Sequence, residues 1–162
     1  MGAQSLEVID VALCVYREEN QWRVEEIADH HLADLDTLAE ELRRWPGDFG
    51  SLGLVSIDED FFVLVRVAGE HTRVLLSDVT AATEWPLARS VLEELDLPMP
   101  DDEDEQVPAG DITIMEDLGI PALDLAVLLD DEDLYPDEVL GDLAHRVGFG
   151  ALYDDIVGVP AT

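Results

Sequence analysis

The chain has 162 residues, 48% of them hydrophobic, enough to bury a core without disulfides or metals in one domain or one domain with a small appendage. Its 39 acidic residues face 8 basic ones, all arginine, for a formal charge of −31. That balance argues against autonomous tRNA or DNA binding, which relies on Lys and Arg, and favours a basic protein partner, with solubility or salt adaptation as the competing account.

Residues 7–16 form a nearly continuous apolar run, the pattern of a central strand covered on both faces. Glu18-Glu19-Asn20 reads as a turn, and Trp22 to Ala28 as its hairpin partner. Leu35, Leu38, Leu42 and Trp45 then recur at helical spacing, with Asp34 as the candidate N-cap and Pro46-Gly47 as the stop. Three strands follow at about Ser51–Ile57, Phe61–Val67 and Thr72–Asp78, separated by the short turns 58–60 and 68–70. A second helix is predicted over Thr83–Leu95, capped by Thr83, with Pro86 in its first turn.

The order β-β-α-β-β-β-α resembles that of longin and roadblock-like domains. The expectation is therefore α+β: a five-stranded antiparallel sheet with two flanking helices over residues 1–97. Residues 98–110, with three prolines and the run Asp101, Asp102, Glu103, Asp104 and Glu105, read as an acidic linker. Beyond it, 121–129 and 137–147 read as a helical hairpin within a 111–162 segment packed on or beside the sheet, closed by Gly148. Residues 97–162 hold 18 acids against Arg146 alone, the stronger electrostatic bait for a basic partner.

The chemistry-bearing patterns are sparse. A zinc deaminase needs His-x-Glu with Pro-Cys-x-x-Cys, and a single cysteine, Cys14, cannot supply it. That thiol lies in an apolar run, where a buried, inert group is expected. His30-His31 with Asp29 and Asp34 is a weak metal candidate, outweighed by a solvated connector. Neither Asp101 nor Asp130 starts an EF-hand loop, because Gln106 and Tyr135 occupy the sixth position. There is no nucleophile elbow or phosphate loop, and Gly148-Phe149-Gly150 follows a helix, the wrong context for a dinucleotide site. No cofactor is predicted. No leader or membrane span is read, so a cytoplasmic location is expected.

The candidate contacts are therefore partner-binding ones: Ser77, Asp78, Thr80 and Trp85 around the exit of the last strand, the acids 101–105, and Asp131 and Asp133 between the two late helices. Trp85 lies on the buried stripe of its helix, so core packing is its first reading and an interface anchor its second.

Five runs carry a family resemblance: Gly53-Leu54-Val55-Ser56, Phe61-Phe62-Val63-Leu64-Val65-Arg66, Leu75 to Ala82, Trp85-Pro86-Leu87-Ala88 and Asp133-Leu134-Tyr135-Pro136-Asp137-Glu138. With the Pro-flanked acidic linker, they resemble the bacterial tRNA adenosine deaminase-associated protein family. The resemblance implies a non-catalytic partner or regulator of an enzyme that converts wobble adenosine to inosine, and carries no catalytic residue. Two other readings stay open: a self-associating structural module, with a homodimer as its form, and a small carboxylate-dependent hydrolase.

Overall fold

Two strands in the middle of the chain are apolar on both faces, and the architecture follows from covering them. The structure, a computed structural model, describes residues 9–45, 47, 50–100, 107–131 and 133–157. Strands β1 (Ile9–Glu18), β2 (Gln21–Glu26), β3 (Ser51–Ile57), β4 (Phe61–Ala68) and β5 (His71–Leu76) are all antiparallel, and a two-residue β6 (Ala109–Gly110) completes the order β2-β1-β3-β4-β5-β6. β3 is buried throughout and β4 up to Ala68.

Alternation along each strand splits these residues into two cores. On one face Cys14, Val55, Val63, Val65 and Leu76 pack under α1 (Leu35–Leu42) and α2 (Pro86–Glu94). On the other, Leu13, Leu54, Phe62, Leu64 and Leu75 pack under α3 (Ala122–Leu129), α4 (Pro136–Val147) and α5 (Gly150–Val157). Leu140 and Leu143 of α4 and Phe149 and Tyr153 around α5 are almost fully buried there.

The sheet has six strands where five are expected, and the described C-terminal residues form three helices where a hairpin is expected. The sixth strand comes from the end of the expected linker. Gly110 takes φ 116°, and its Asp111 neighbour donates from N–H to the Val74 carbonyl at 2.9 Å. A Cβ on residue 110 would meet that same carbonyl oxygen at 2.2 Å, so only glycine fits against β5. The third helix arises because the chain resumes helical geometry at Gly150, immediately after the Gly148 break at φ 124°. The expected linker run 101–106 lies outside the described residues.

Local expectations hold in several places. Asp34 caps α1, accepting the Thr37 N–H at 2.8 Å. The second helix begins at Pro86 instead of Thr83: residues 79–83 form a 3-10 turn and Trp85 takes the N-cap position. Trp45 falls beyond the last residue of α1 and stacks on Tyr16, ring centroids 5.5 Å apart.

Two arginines hold the 111–118 segment on the sheet. Arg66 is 5% exposed yet lies in β4; it pairs with both oxygens of Asp117 and donates to the Ile114 carbonyl at 3.0 Å. Arg73 donates to Asp111 at 2.7 Å and to the Thr113 carbonyl at 2.7 Å. The Arg66 hydrogen bonds hold the Asp117 carboxyl below its ordinary value, and burial of Asp111 is outweighed by bonds from Thr113 and Arg73 with the same net result.

Two measurements check this frame. Gly110→Ala is expected to destabilise the protein by about 1–3 kcal/mol and to speed amide exchange at Asp111. Asp117→Asn is expected to cost about 1 kcal/mol at neutral pH, since Asp117 is half exposed. Its folded pKa is depressed, so the wild-type advantage is present above 3.8 and disappears as pH falls through the folded value. Urea titrations of both proteins across that range read the difference.

Candidate functional site

Antiparallel pairing brings the β3–β4 turn and the exit of β5 to one end of the sheet. Val63 pairs with Leu76, and one step outward the Phe62 N–H donates to Ser77 Oγ at 2.8 Å while Ser77 N–H donates to the Phe62 carbonyl at 3.0 Å. The chain then turns through Asp78, which is buried and accepts from Thr80 N–H at 2.9 Å and Thr80 Oγ1 at 2.6 Å. From the other layer, the end of α3 and the loop into α4 approach the same place. The Asp131 carboxylate accepts the Asp133 N–H at 2.9 Å, and Glu138 accepts the Tyr135 N–H at 2.9 Å to start α4.

Between these pieces lies a cleft of about 850 Å³. Its floor is apolar, with Phe62, Leu128, Leu129, Leu134 and Val139, and its walls carry five carboxylates: Glu59, Asp60, Asp78, Asp130 and Asp131. No arginine or histidine is among the described residues that line it. The turn on its rim is strained, since Asp58 and Glu59 both adopt positive φ, 53° and 51°. The Glu59 N–H is held by Asp10 Oδ2 at 2.6 Å.

The charges oppose one another. Burial raises the Asp60 carboxyl above its ordinary value; the Trp85 indole, close by but short of a hydrogen bond, works against that, and Asp78, Glu84 and Asp58 add to it. Asp10 is raised by burial too, opposed by its bond to Glu59 and reinforced by Asp137 and Asp58. Carboxylates whose neighbours raise their pKa are ones a cation would stabilise.

The sheet's other end has a different character. Six of the eight arginines (17, 23, 43, 44, 66 and 73) lie toward it, by strand register and by the Arg43–Thr72 bond at 3.0 Å. A cleft of about 490 Å³ there is lined by Arg66, His71 and Arg73 together with Asp117. Both arginines are engaged with the 111–118 segment, so their work is structural.

Of the residues expected from sequence, Ser77, Asp78 and Asp131 line the acidic cleft, and Asp133 sits in the adjoining turn. Thr80 supports Asp78 from behind. Trp85 is 8% exposed and packs on Phe61 at 6.1 Å between centroids, a core residue outside the cleft's described lining. Asp101, Asp102, Glu103, Asp104 and Glu105 lie outside the described residues. Sequence reading missed Glu59, Asp60, Asp130 and Tyr135 as cleft residues; for the first two the signal was an all-acidic hairpin turn, Asp58-Glu59-Asp60, on the same end as Ser77-Asp78.

The remaining chemical groups are placed apart. The imidazoles of His30 and His31 are tilted against one another at 4.0 Å, with His31 Nε2 3.5 Å from Glu41 Oε1 and Asp34 committed to its cap. No group of three or more His, Cys, Asp or Glu side chains among the described residues is arranged to hold a metal. Cys14 is wholly buried, and burial pushes its thiol up to about 12. No helix among the described residues is long and apolar enough to cross a membrane.

Comparison with known proteins adds a family. Residues 10–150 match the family described as Rv3753c-like tRNA adenosine deaminase-associated protein. The chain is 40% identical over 140 residues to Protein Rv3753c of Mycobacterium tuberculosis (strain ATCC 25618 / H37Rv), covering 85% of this chain and 81% of that one. No solved structure matches the chain.

Asp60 supplies a direct check on the cleft's electrostatics. Its folded pKa is raised, so its contribution is fully favourable below 3.8 and is lost as pH rises through the folded value. Asp60→Asn, which mimics the protonated form, is therefore expected to raise the urea midpoint at neutral pH. The gain should vanish below pH 3.8.

Proposed function

The chain belongs to the Rv3753c-like tRNA adenosine deaminase-associated protein family, and from that premise we propose that it is a non-catalytic acidic protein that binds a tRNA adenosine deaminase through its cationic surface. The observation that carries this reading is the cleft of five carboxylates, with no cation among its described lining residues, on a chain of charge −31. An enzyme that processes tRNA presents basic surface to its substrate. An acidic neighbour competes for that surface, and so can chaperone the enzyme or regulate its access to RNA. The deamination chemistry itself belongs to the enzyme, since zinc activation needs ligands that this chain's single, buried cysteine does not provide.

One observation favours a second reading. Asp60, raised by burial and by neighbouring carboxylates inside a cleft, has the property a general acid needs. A carboxylate-dependent hydrolase would lose turnover in Asp60→Asn, whereas a binding protein has no turnover to lose. Asp78, the nearest buried carboxylate, is committed to its turn through Thr80, which supports the binding reading over the catalytic one.

The test is light scattering after size exclusion on the protein alone and mixed with its cognate deaminase, at low and high salt. A larger species that weakens as salt rises is expected, because the Debye length shrinks from about 30 Å at 0.01 M to about 8 Å at 0.15 M. Two unshifted peaks at both salts would remove the direct partnership. A dimeric mass for the protein alone would favour the self-associating module.

A further inference from the structure

Helix α3 carries one polar residue, Asp124, and is otherwise apolar. Leu125 and Leu128 are buried against the sheet, while Leu123 is 75% and Val127 63% exposed on the opposite side. Residues 123, 127 and 130 fall at i, i+4 and i+7, so the two exposed aliphatics form a stripe that runs into Asp130. A helix on the surface of a globular protein carries polar groups on its outer face; this one carries them only at its margins, at Asp124 and at the acids that follow. At its C-terminal end the stripe meets the cleft, where Leu128, Leu129 and the half-exposed Tyr135 stand beside Asp130 and Asp131.

We propose that the outer face of α3 and the adjoining acidic cleft form one docking surface for a cationic, amphipathic protein segment, its aliphatic side chains on Leu123 and Val127 and its basic side chains on Asp130, Asp131 and Asp60. This deepens the binding reading and rests on it for the partner's charge. Charge complementarity selects the occupant. A second copy of this chain would bring Asp130 and Asp131 against acidic surface, with a net −31 on each side. An anionic lipid surface or nucleic acid is repelled for the same reason. A basic segment supplies the cation that the cleft's described lining lacks, and its apolar residues cover the outer face of α3, where Leu123 and Val127 are exposed.

Leu123 and Val127 are exposed, so replacing them leaves the core intact. The experiment compares wild type, Leu123→Ser/Val127→Ser and Asp130→Asn/Asp131→Asn, all first checked for an unchanged urea midpoint. Two probes are used: the cognate deaminase, and a labelled synthetic helical peptide with arginine on one face and leucine on the other, read by anisotropy. The expected result is a loss of about tenfold or more in affinity for both probes in the aliphatic variant. In the acidic variant the loss should be confined to low salt, and a peptide with serine in place of leucine should bind the wild type more weakly. If the deaminase binds all three proteins equally, the partnership stands and this surface is wrong. If the deaminase binds none, the partnership falls, and the peptide alone decides: variant-sensitive binding supports the surface, and none overturns it. A wild-type dimer that the aliphatic variant dissociates would also overturn it, because the occupant would be a second copy.

Discussion

Everything in this molecule follows from a sheet that is apolar on both faces. An antiparallel sheet usually keeps one face wet, and its strands then alternate between apolar and polar residues. β3 and β4 do not alternate; they have Val55, Val63 and Val65 on one side and Leu54, Phe62 and Leu64 on the other, all buried. Two helical layers are the physical consequence. The helices that lie close in sequence, α1 and α2, cover one face, and the late helices must return to cover the other. The buried charge on the second face, Arg66, is where that return is secured, since its guanidinium sits inside the layer and reaches Asp117 and the Ile114 carbonyl.

Much of this was legible in the residues. β3 is recovered from its apolar run with both boundaries unchanged, and the Asp34 cap follows from local chemistry that tertiary packing did not override. Strand β6 was not legible. Two residues at the end of a proline-rich stretch have no periodicity to detect, and their pairing depends on Gly110 approaching the Val74 carbonyl from across the sheet. The last helix escaped for a related reason: Gly148 and Gly150 read as a terminus, while the burial of Phe149 and Tyr153 that holds α5 in place is a tertiary fact. In the cleft, Ser77, Asp78 and Asp131 were identified from unusual composition. Glu59 and Asp60 were not, because in a chain with 39 acids an acidic turn carries little information until pairing shows what it faces.

The charge is sorted as well as large. Arginines gather toward the end of the sheet bearing the β4–β5 turn, where they are matched by Asp111, Asp117 and Glu41. Carboxylates at the opposite end have mostly one another for company; burial is the main reason the Asp10 and Asp60 carboxyls are raised, and neighbouring acids add to it. The same net charge thus has one pole where arginines pair with acids and another whose cleft has no arginine or histidine among its described lining residues. This separation gives the acidity a direction, which a uniformly charged, merely soluble surface would lack.

The two-faced sheet also sets a problem of timing. Synthesis proceeds from the N-terminus at about 5–20 residues per second, so β1 to β5 and their first helical layer leave the ribosome well before α3, α4 and α5 exist. For a few seconds the face carrying Leu54, Phe62 and Leu64 has nothing to lie against. Nascent chains with bare apolar sheets tend to find one another. Here the emerging first 96 residues already hold 21 acids against 7 arginines, and mutual repulsion between neighbouring nascent chains keeps that face apart from its copies until its own cover arrives.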